Sequence, residues 1–260
     1  MDALLETRDL DVSIGGVEIA RGFSIRVMPD QIWGMLGPNG SGKTTLLLTL
    51  AGIRQPDSGQ VLLDGRPLAD QPRRAIARRL GMLVQHTQYA FDATCLETAL
   101  AGRHPHISAW QRERRSDRDM ARRVLGELGL EALAERSCME LSGGETRRLA
   151  LATLLVQDPA LMLLDEPTNH LDPANQVTML NHIGHRARSG GRAALMALHE
   201  VNLATCYCSH VVLLHGGGKW EAGTGHEMLT AENLSRLYRC PVRMIDDGRQ
   251  RVFAVSGEPG

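Results

Sequence analysis

Aromatic side chains are scarce in this chain of 260 residues, with three Trp, three Tyr and three Phe making up 3%. So few π-faces exclude a surface on which successive nucleic-acid bases stack. An excess of one charge sign is also missing. The formal net charge is −1, whereas general nucleic-acid binders are basic, so no nucleic-acid partner is expected. No apolar run approaches the roughly 20 residues needed to cross a bilayer. Met1-Asp2-Ala3 is followed by neither the basic stretch nor the apolar core of a secretory signal. The expectation is therefore a chain without a signal peptide, whose membrane association is peripheral. The five cysteines (Cys95, Cys138, Cys206, Cys208 and Cys240) form no C-x-x-C pair and no disulfide framework, which reads as reduced cytoplasmic thiols. Cys206 and Cys208 form C-x-C, better explained by packing than by a metal. A content of 43% hydrophobic and 23% charged residues suits one soluble globular domain, or one domain plus a subdomain.

Against that background, residues 37–45 stand out: Gly37-Pro38-Asn39-Gly40-Ser41-Gly42-Lys43-Thr44-Thr45. This is the P-loop spacing of Gly, four residues, Gly-Lys-Thr. Gly37, Gly40 and Gly42 let backbone N–H groups approach a polyphosphate unobstructed. A helix starting near Thr44 would aim its positive dipole end at the same phosphates. Lys43 is placed to reach the β/γ-phosphates, and the Thr44 hydroxyl to ligate Mg²⁺. Upstream, Ile32 to Leu36 is an apolar run suited to a buried parallel strand.

The rest of the chain alternates in character. Residues 3–28 read as antiparallel strands turning at Gly15-Gly16, Gln60 to Leu63 as a strand, and Asp64-Gly65 as a hairpin turn. Arg73 to Arg79 reads as helix and Met82-Leu83-Val84 as a short buried strand ending at Gln85. Residues 86–157 lose strand signals and read as an α-helical subdomain. Its arginines (Arg112, Arg114, Arg115, Arg118, Arg122 and Arg123) are interleaved with Glu113, Asp117 and Asp119, the pattern of a solvated face. Core strands return at Leu161 to Leu164, Ala193 to Leu198 and Val211 to Leu214, with a helix over 173–188, implying a parallel sheet with crossovers. Gly216-Gly217-Gly218 and Asp247-Gly248 mark two further hairpins.

Two more segments carry chemistry. Leu161 to Leu164 is an apolar strand ending in Asp165 and Glu166. Asp165 can hold Mg²⁺, and Glu166, one step on, can polarise a water for attack on a γ-phosphate. Leu141-Ser142-Gly143-Gly144-Glu145 leads into the helix Thr146 to Val156, making a second anion cradle. Two cradles in one chain suggest a head-to-tail dimer, with each ATP between the P-loop of one copy and Ser142, Gly143 and Gly144 of the other.

Taken in order, these segments resemble the ATP-binding cassette (ABC) ATPases over nearly the whole chain. The resemblance implies an α/β fold: a P-loop NTPase core, mainly parallel sheet with flanking helices, plus an antiparallel β edge and the helical subdomain at about 86–157. Residues 1–245 would form the nucleotide-binding domain and 246–260 a short C-terminal extension. It implies ATP hydrolysis with ATP and Mg²⁺, and adds roles for residues that spacing alone does not assign. Gln85 would contact Mg²⁺ or water and link core to subdomain. Asp172, after Leu171, would communicate across the dimer. His199 would hold the γ-phosphate. Three stretches are similar to the ATPase subunits of importers for iron–siderophore complexes, haem and vitamin B12: Ala101 to His106, Asp165 to Asp172, and Leu198 to Ala204. The end, Leu229 to Glu232 through Tyr238 to Val242, is similar too. That narrower resemblance implies separate transmembrane permease subunits, an indirect periplasmic binding protein, and a place on the cytoplasmic face of the inner membrane. Vitamin B12 and iron–siderophore rank ahead of haem as cargo. The competing class is a soluble ABC ATPase of iron–sulfur assembly or DNA repair. His104-Pro105-His106 reads as a surface turn near the permease contact.

The chain departs from the family pattern at several positions. Ile14 stands where an aromatic residue usually stacks on adenine. Glu145 replaces the commoner Gln, Thr146-Arg147 and Ala152-Thr153 differ from the usual pairs, and Glu200 stands where Asp is common. None of these removes a phosphate ligand, so hydrolysis is expected to survive.

Overall fold

In the computed structural model, residues 2–108, 111–169, 171–248 and 250–255 are described. His170 and residues 256–260 of the expected extension lie outside them. One antiparallel sheet holds β1 (Leu5–Ile14), β2 (Val17–Phe23), β3 (Arg26–Val27), β5 (Ser58–Leu63) and β6 (Arg66–Pro67). A six-stranded sheet runs in the order β11-β10-β4-β9-β8-β7. Its members are β4 (Ile32–Leu36), β7 (Leu80–Leu83), β8 (Leu161–Asp165), β9 (Ala193–Ala197), β10 (His210–Gly216) and β11 (Lys219–Thr224). All are parallel except β11, which returns antiparallel to β10 through the Gly217-Gly218 turn. β12 (Val242–Asp246) and β13 (Arg251–Val255) form a terminal hairpin whose pairing crosses the expected 245/246 boundary.

The helices are α1 (Lys43–Leu50), α2 (Arg73–Arg79), α3 (Cys95–Leu100), α4 (Arg115–Glu127), α5 (Gly143–Gln157), α6 (Pro173–Ala187), α7 (Val201–Tyr207), α8 (Gly225–Met228) and α9 (Ala231–Tyr238). Between β7 and β8 the described residues contain no strand, as the sequence implied for the subdomain.

β4, β8 and β9 are buried at every position, the pattern of strands covered on both faces. Their side chains alternate between two cores with period two. Trp33, Met35, Leu163 and Leu195 join Leu46, Leu47 and Leu50 of α1 beneath the antiparallel sheet. Ile32, Leu36, Leu164 and Met196 face α5, α6 and the helical subdomain. The parallel sheet is therefore the middle layer, and α1 is clamped between two sheets.

One strand differs from expectation. Met82–Val84 was the predicted segment, but the strand is Leu80–Leu83, paired with Leu161 to Leu164. Gly81 masks the apolar pattern. It is required there because a Cβ would meet Leu154 at 2.3 Å and Pro159 at 3.0 Å. Val84 is 41% exposed, and its carbonyl is drawn out of the ladder by a donor at 2.5 Å from Arg147.

Candidate nucleotide site

The sheet order brings the site together. β4, β9, β8 and β7 are neighbours and parallel, so their carboxyl ends lie along one edge, where α/β sheets bind ligands. Ala197 pairs with both Met35 and Asp165, and Leu83 pairs with Leu164. The segments just beyond those residues are the P-loop, Glu166, Gln85 and His199. Four stretches far apart in sequence thus converge because each follows one strand of a single register.

Within the P-loop, Gly40 and Gly42 adopt φ of +77° and +92°, which a side chain would strain. A Cβ at Gly37 would meet Ser41 Oγ at 2.6 Å and the Leu214 carbonyl at 2.7 Å. Gly42 begins α1 as its N-cap without a side-chain cap, so the first-turn N–H groups have no intrahelical acceptor. Lys43 folds over the loop, its Nζ donating to the Gly37 carbonyl at 2.8 Å and the Pro38 carbonyl at 3.3 Å. Burial lowers the Lys43 pKa, and the charges of Glu166 and Asp165 raise it. Ser41 Oγ is buried without a hydrogen bond. Bare N–H groups, a buried ammonium and an orphaned hydroxyl make a cradle that fits a polyphosphate. Asn39 and Thr44 are exposed and Thr45 half-buried at its rim.

Asp165 is 1% exposed, and neither carboxylate oxygen has a hydrogen bond of normal geometry. Burial raises its pKa; the Thr44 hydroxyl is close enough to favour the charged form. A buried carboxylate without a well-aligned donor fits a hard cation, and the oxygens of Asp165, Thr44 and Gln85 are of the kind that Mg²⁺ takes.

Glu166 has φ +48°, a conformation uncommon for a side chain of its size. Its carboxylate is held from three directions. Gln85 Nε2 donates to Oε2 at 2.7 Å, Asn169 Nδ2 to the same oxygen at 3.0 Å, and His199 Nε2 contacts Oε1. Gln85, Glu166 and His199 are thus brought together at one point. Asn169 lies within the Asp165 to Asp172 stretch, to which the sequence assigns no role at that position; its spacing of three from Glu166 is the available signal.

Ser142, Gly143 and Gly144 stand apart. Among the described residues no hydrogen bond links them to residues 37–45. Ser142 caps α5, and Glu145 closes a reciprocal capping box. Its carboxylate accepts from the Ser142 backbone N–H at 2.8 Å and from the hydroxyl at 2.7 Å. The Ser142 hydroxyl and N–H bonds lower the Glu145 pKa, so the departure from Gln places a charged cap at the helix start. Asp172 caps α6 by accepting from the Asn175 N–H at 2.9 Å, with Pro173 in the first turn. Leu171 Cδ2 lies 3.7 Å from where a Gly144 Cβ would be, so α5 and this loop abut.

Ile14 and Val17 pair across the β1–β2 hairpin and are 54% and 59% exposed. On the same hairpin, Ile19 packs against Gly42 of the P-loop. An exposed apolar pair beside the phosphate cradle suits the flat face of a base. Ile14→Tyr is therefore expected to tighten ATP binding. Base–aromatic stacking is worth roughly 1–3 kcal/mol, and a ring added to an unoptimised site should gain about 1 kcal/mol, or about fivefold in affinity. Titration with a fluorescent ATP analogue, competed by ATP and GTP, checks this; unchanged affinity for both would place Ile14 away from the base.

A nucleotide cradle, a buried cation-ready carboxylate and a triply held glutamate at one sheet edge define an ATPase of the P-loop class. The profile of the family described as ABC transporter matches residues 20–169. The chain belongs to the ABC transporter family. It is 34% identical to the ferric enterobactin transport ATP-binding protein FepC of Escherichia coli K12, covering 94% of this chain and 90% of that one. It is 39% identical to the hemin import ATP-binding protein HmuV of Pseudomonas aeruginosa, covering 90% and 92%. Among solved structures, a metal-chelate type ABC transporter in an inward-facing conformation superposes with a TM-score of 0.85 at 26% identity, covering 99% of both chains. The α/β fold with parallel sheet, antiparallel edge and helices is that of the family.

Proposed function

We propose that this chain is the ATP-hydrolysing subunit of a metal-chelate importer and that two copies work head to tail on separate permease subunits. Relatives named for ferric enterobactin, hemin, iron(3+)-hydroxamate and cobalamin support a cargo among iron–siderophore complexes, haem and vitamin B12. The hemin relatives are as similar as the siderophore ones, so haem stands beside the other two. A periplasmic binding protein would present the cargo, and the chain would sit peripherally on the cytoplasmic face of the inner membrane. Among the described residues no helix is long and apolar enough to cross a membrane; the pathway for cargo is assigned to the separate permease subunits. Residues 1–245 form the nucleotide-binding domain, with the helical subdomain at about 86–157. The segment from 246 is a short extension tied to it by the β12–β13 hairpin.

In this reading the backbone of Gly37 to Thr45 and the Lys43 ammonium bind the phosphates, with Ser142, Gly143 and Gly144 of the second copy closing over them. Thr44, Gln85 and Asp165 would hold Mg²⁺, which supplies neutralisation of phosphate charge when bound. Glu166 takes a proton from the attacking water. Gln85 and Asn169 keep its carboxylate oriented, and His199, at 40% side-chain exposure, can turn from Glu166 to the terminal phosphate. Asp172 lies at the start of α6, where it can sense the second copy.

The observation that carries the permease partnership is an apolar cleft of about 590 Å³ next to Gln85, lined by Met82, Val84, Tyr89, Phe91, Ala101 and Ala150. Phe91 is 84% exposed, and an exposed aromatic at an apolar groove marks a protein contact. Beyond Ala101, the His104–His106 turn is pinned to the core. The Pro105 carbonyl accepts from Arg74 at 3.0 Å and Arg78 at 2.7 Å, and His106 Nε2 meets the Gln157 carbonyl at 2.8 Å. Phe91→Asp is expected to keep the soluble protein's basal ATPase while losing co-purification with a co-expressed permease and transport in proteoliposomes. Undiminished permease binding would remove the groove from the contact.

A further inference from the structure

Arg147 lies in the second turn of α5 and is only 7% exposed. All five of its N–H donors are matched to backbone carbonyls. Nε donates to Pro167 at 3.1 Å. Nη1 donates to Val84 at 2.5 Å and Gln85 at 3.1 Å. Nη2 donates to Asp165 at 2.7 Å and Glu166 at 2.6 Å. None of these acceptors is a carboxylate, so the guanidinium serves as a fork that gathers main chain. The main chain it gathers comes from two places: the loop that aims the Gln85 side chain, and the corner that aims Glu166.

We infer that Arg147 is a positioning residue for hydrolysis, one that locks the left-handed backbone at Glu166 and ties it to the Gln85 loop and to the helix beginning at Ser142. The inference rests on Glu166 acting as the base. A residue at φ +48° persists only when its surroundings over-determine it. Here the carbonyls of Asp165, Glu166 and Pro167, which bracket that residue, are all held by one rigid group. The same group holds Val84, whose side chain lines the apolar cleft, and α5, whose Ala150 and Thr153 line it too. A shift of α5 or of Val84 therefore reaches the catalytic carboxylate through a single side chain. Arg147 leaves the nucleotide cradle itself untouched, because none of its contacts lies in residues 37–45.

The test uses Arg147→Met and Arg147→Lys in the full chain, each alone and combined with Glu166→Gln. Arg147→Met is expected to lower kcat roughly 10- to 100-fold, the scale on which small misplacements act. The Kd for a fluorescent ATP analogue and the fraction of chains that bind it should stay within about twofold. Arg147→Lys, with three donors in place of five, should recover part of the loss. In the Glu166→Gln background Arg147→Met should change the residual turnover less than about twofold, since it acts through a group already removed. An unchanged kcat in Arg147→Met overturns the inference, as does a fall in kcat matched by an equal loss of binding-competent chains. Full additivity with Glu166→Gln overturns it too. Normal turnover in Glu166→Gln alone would instead overturn the assignment of the base.

Discussion

Glu166→Gln is expected to keep ATP bound while turnover falls by roughly 10²- to 10⁴-fold, the range a positioned general base contributes. The amide keeps the size of the carboxylate and can still meet His199 and Gln85, so the pocket should hold its shape. What it loses is the capacity to accept a proton. Removing a negative charge beside the phosphates also favours closure of two ATP-loaded copies. Phosphate release measured under saturating ATP checks the rate, and equilibrium dialysis checks binding. Near-normal turnover would place the base elsewhere.

Lys43→Ala should act at the earlier step, weakening ATP binding by about 10- to 100-fold. A charge-assisted hydrogen bond contributes roughly 1.5–3 kcal/mol, and each 1.4 kcal/mol is about tenfold in Kd. The effect has two parts. In the proposed role Lys43 Nζ would meet the phosphates, and it already ties the Gly37 and Pro38 carbonyls into the loop, so the alanine variant would lose both a contact and some preorganisation. Titration of the isolated chain separates this from any dimer effect, and an unchanged Kd would contradict the role given to the ammonium.

Much of the site was legible because each part follows a strand. The apolar run Ile32 to Leu36 before the glycines, Leu161 to Leu164 before Asp165, and Ala193 to Leu198 before His199 all announced buried parallel strands, and their carboxyl ends are where the candidate site residues converge. β7 was misplaced because Gly81 breaks the apolar run; a small residue was needed beneath α5, and packing overrode pattern. Arg147 was visible only as a departure from the family pattern. The signal lay in its phase: Arg147, Leu151 and Leu154 fall on one buried stripe of α5, and a cation on an apolar stripe needs buried acceptors. The acceptors are main-chain carbonyls of distant segments, which no side-chain pattern records. Ser142 was read as an anion cradle, whereas in a single chain its hydroxyl and N–H are taken by Glu145. The local capping box is written in the spacing of 142 to 145, and the across-dimer role is not.

That across-dimer role is the centre of the account, and the mass of the Glu166→Gln protein in saturating ATP and Mg²⁺ tests it most directly. Light scattering should give the 28.5 kDa of one chain without nucleotide and twice that with it. Adding Ser142→Arg should leave ATP bound to each monomer yet hold the mass at that of one chain, because a bulky cation then fills the second cradle. A Glu166→Gln protein that stays monomeric when saturated with ATP would contradict the head-to-tail sandwich. So would a dimer that persists with arginine at position 142.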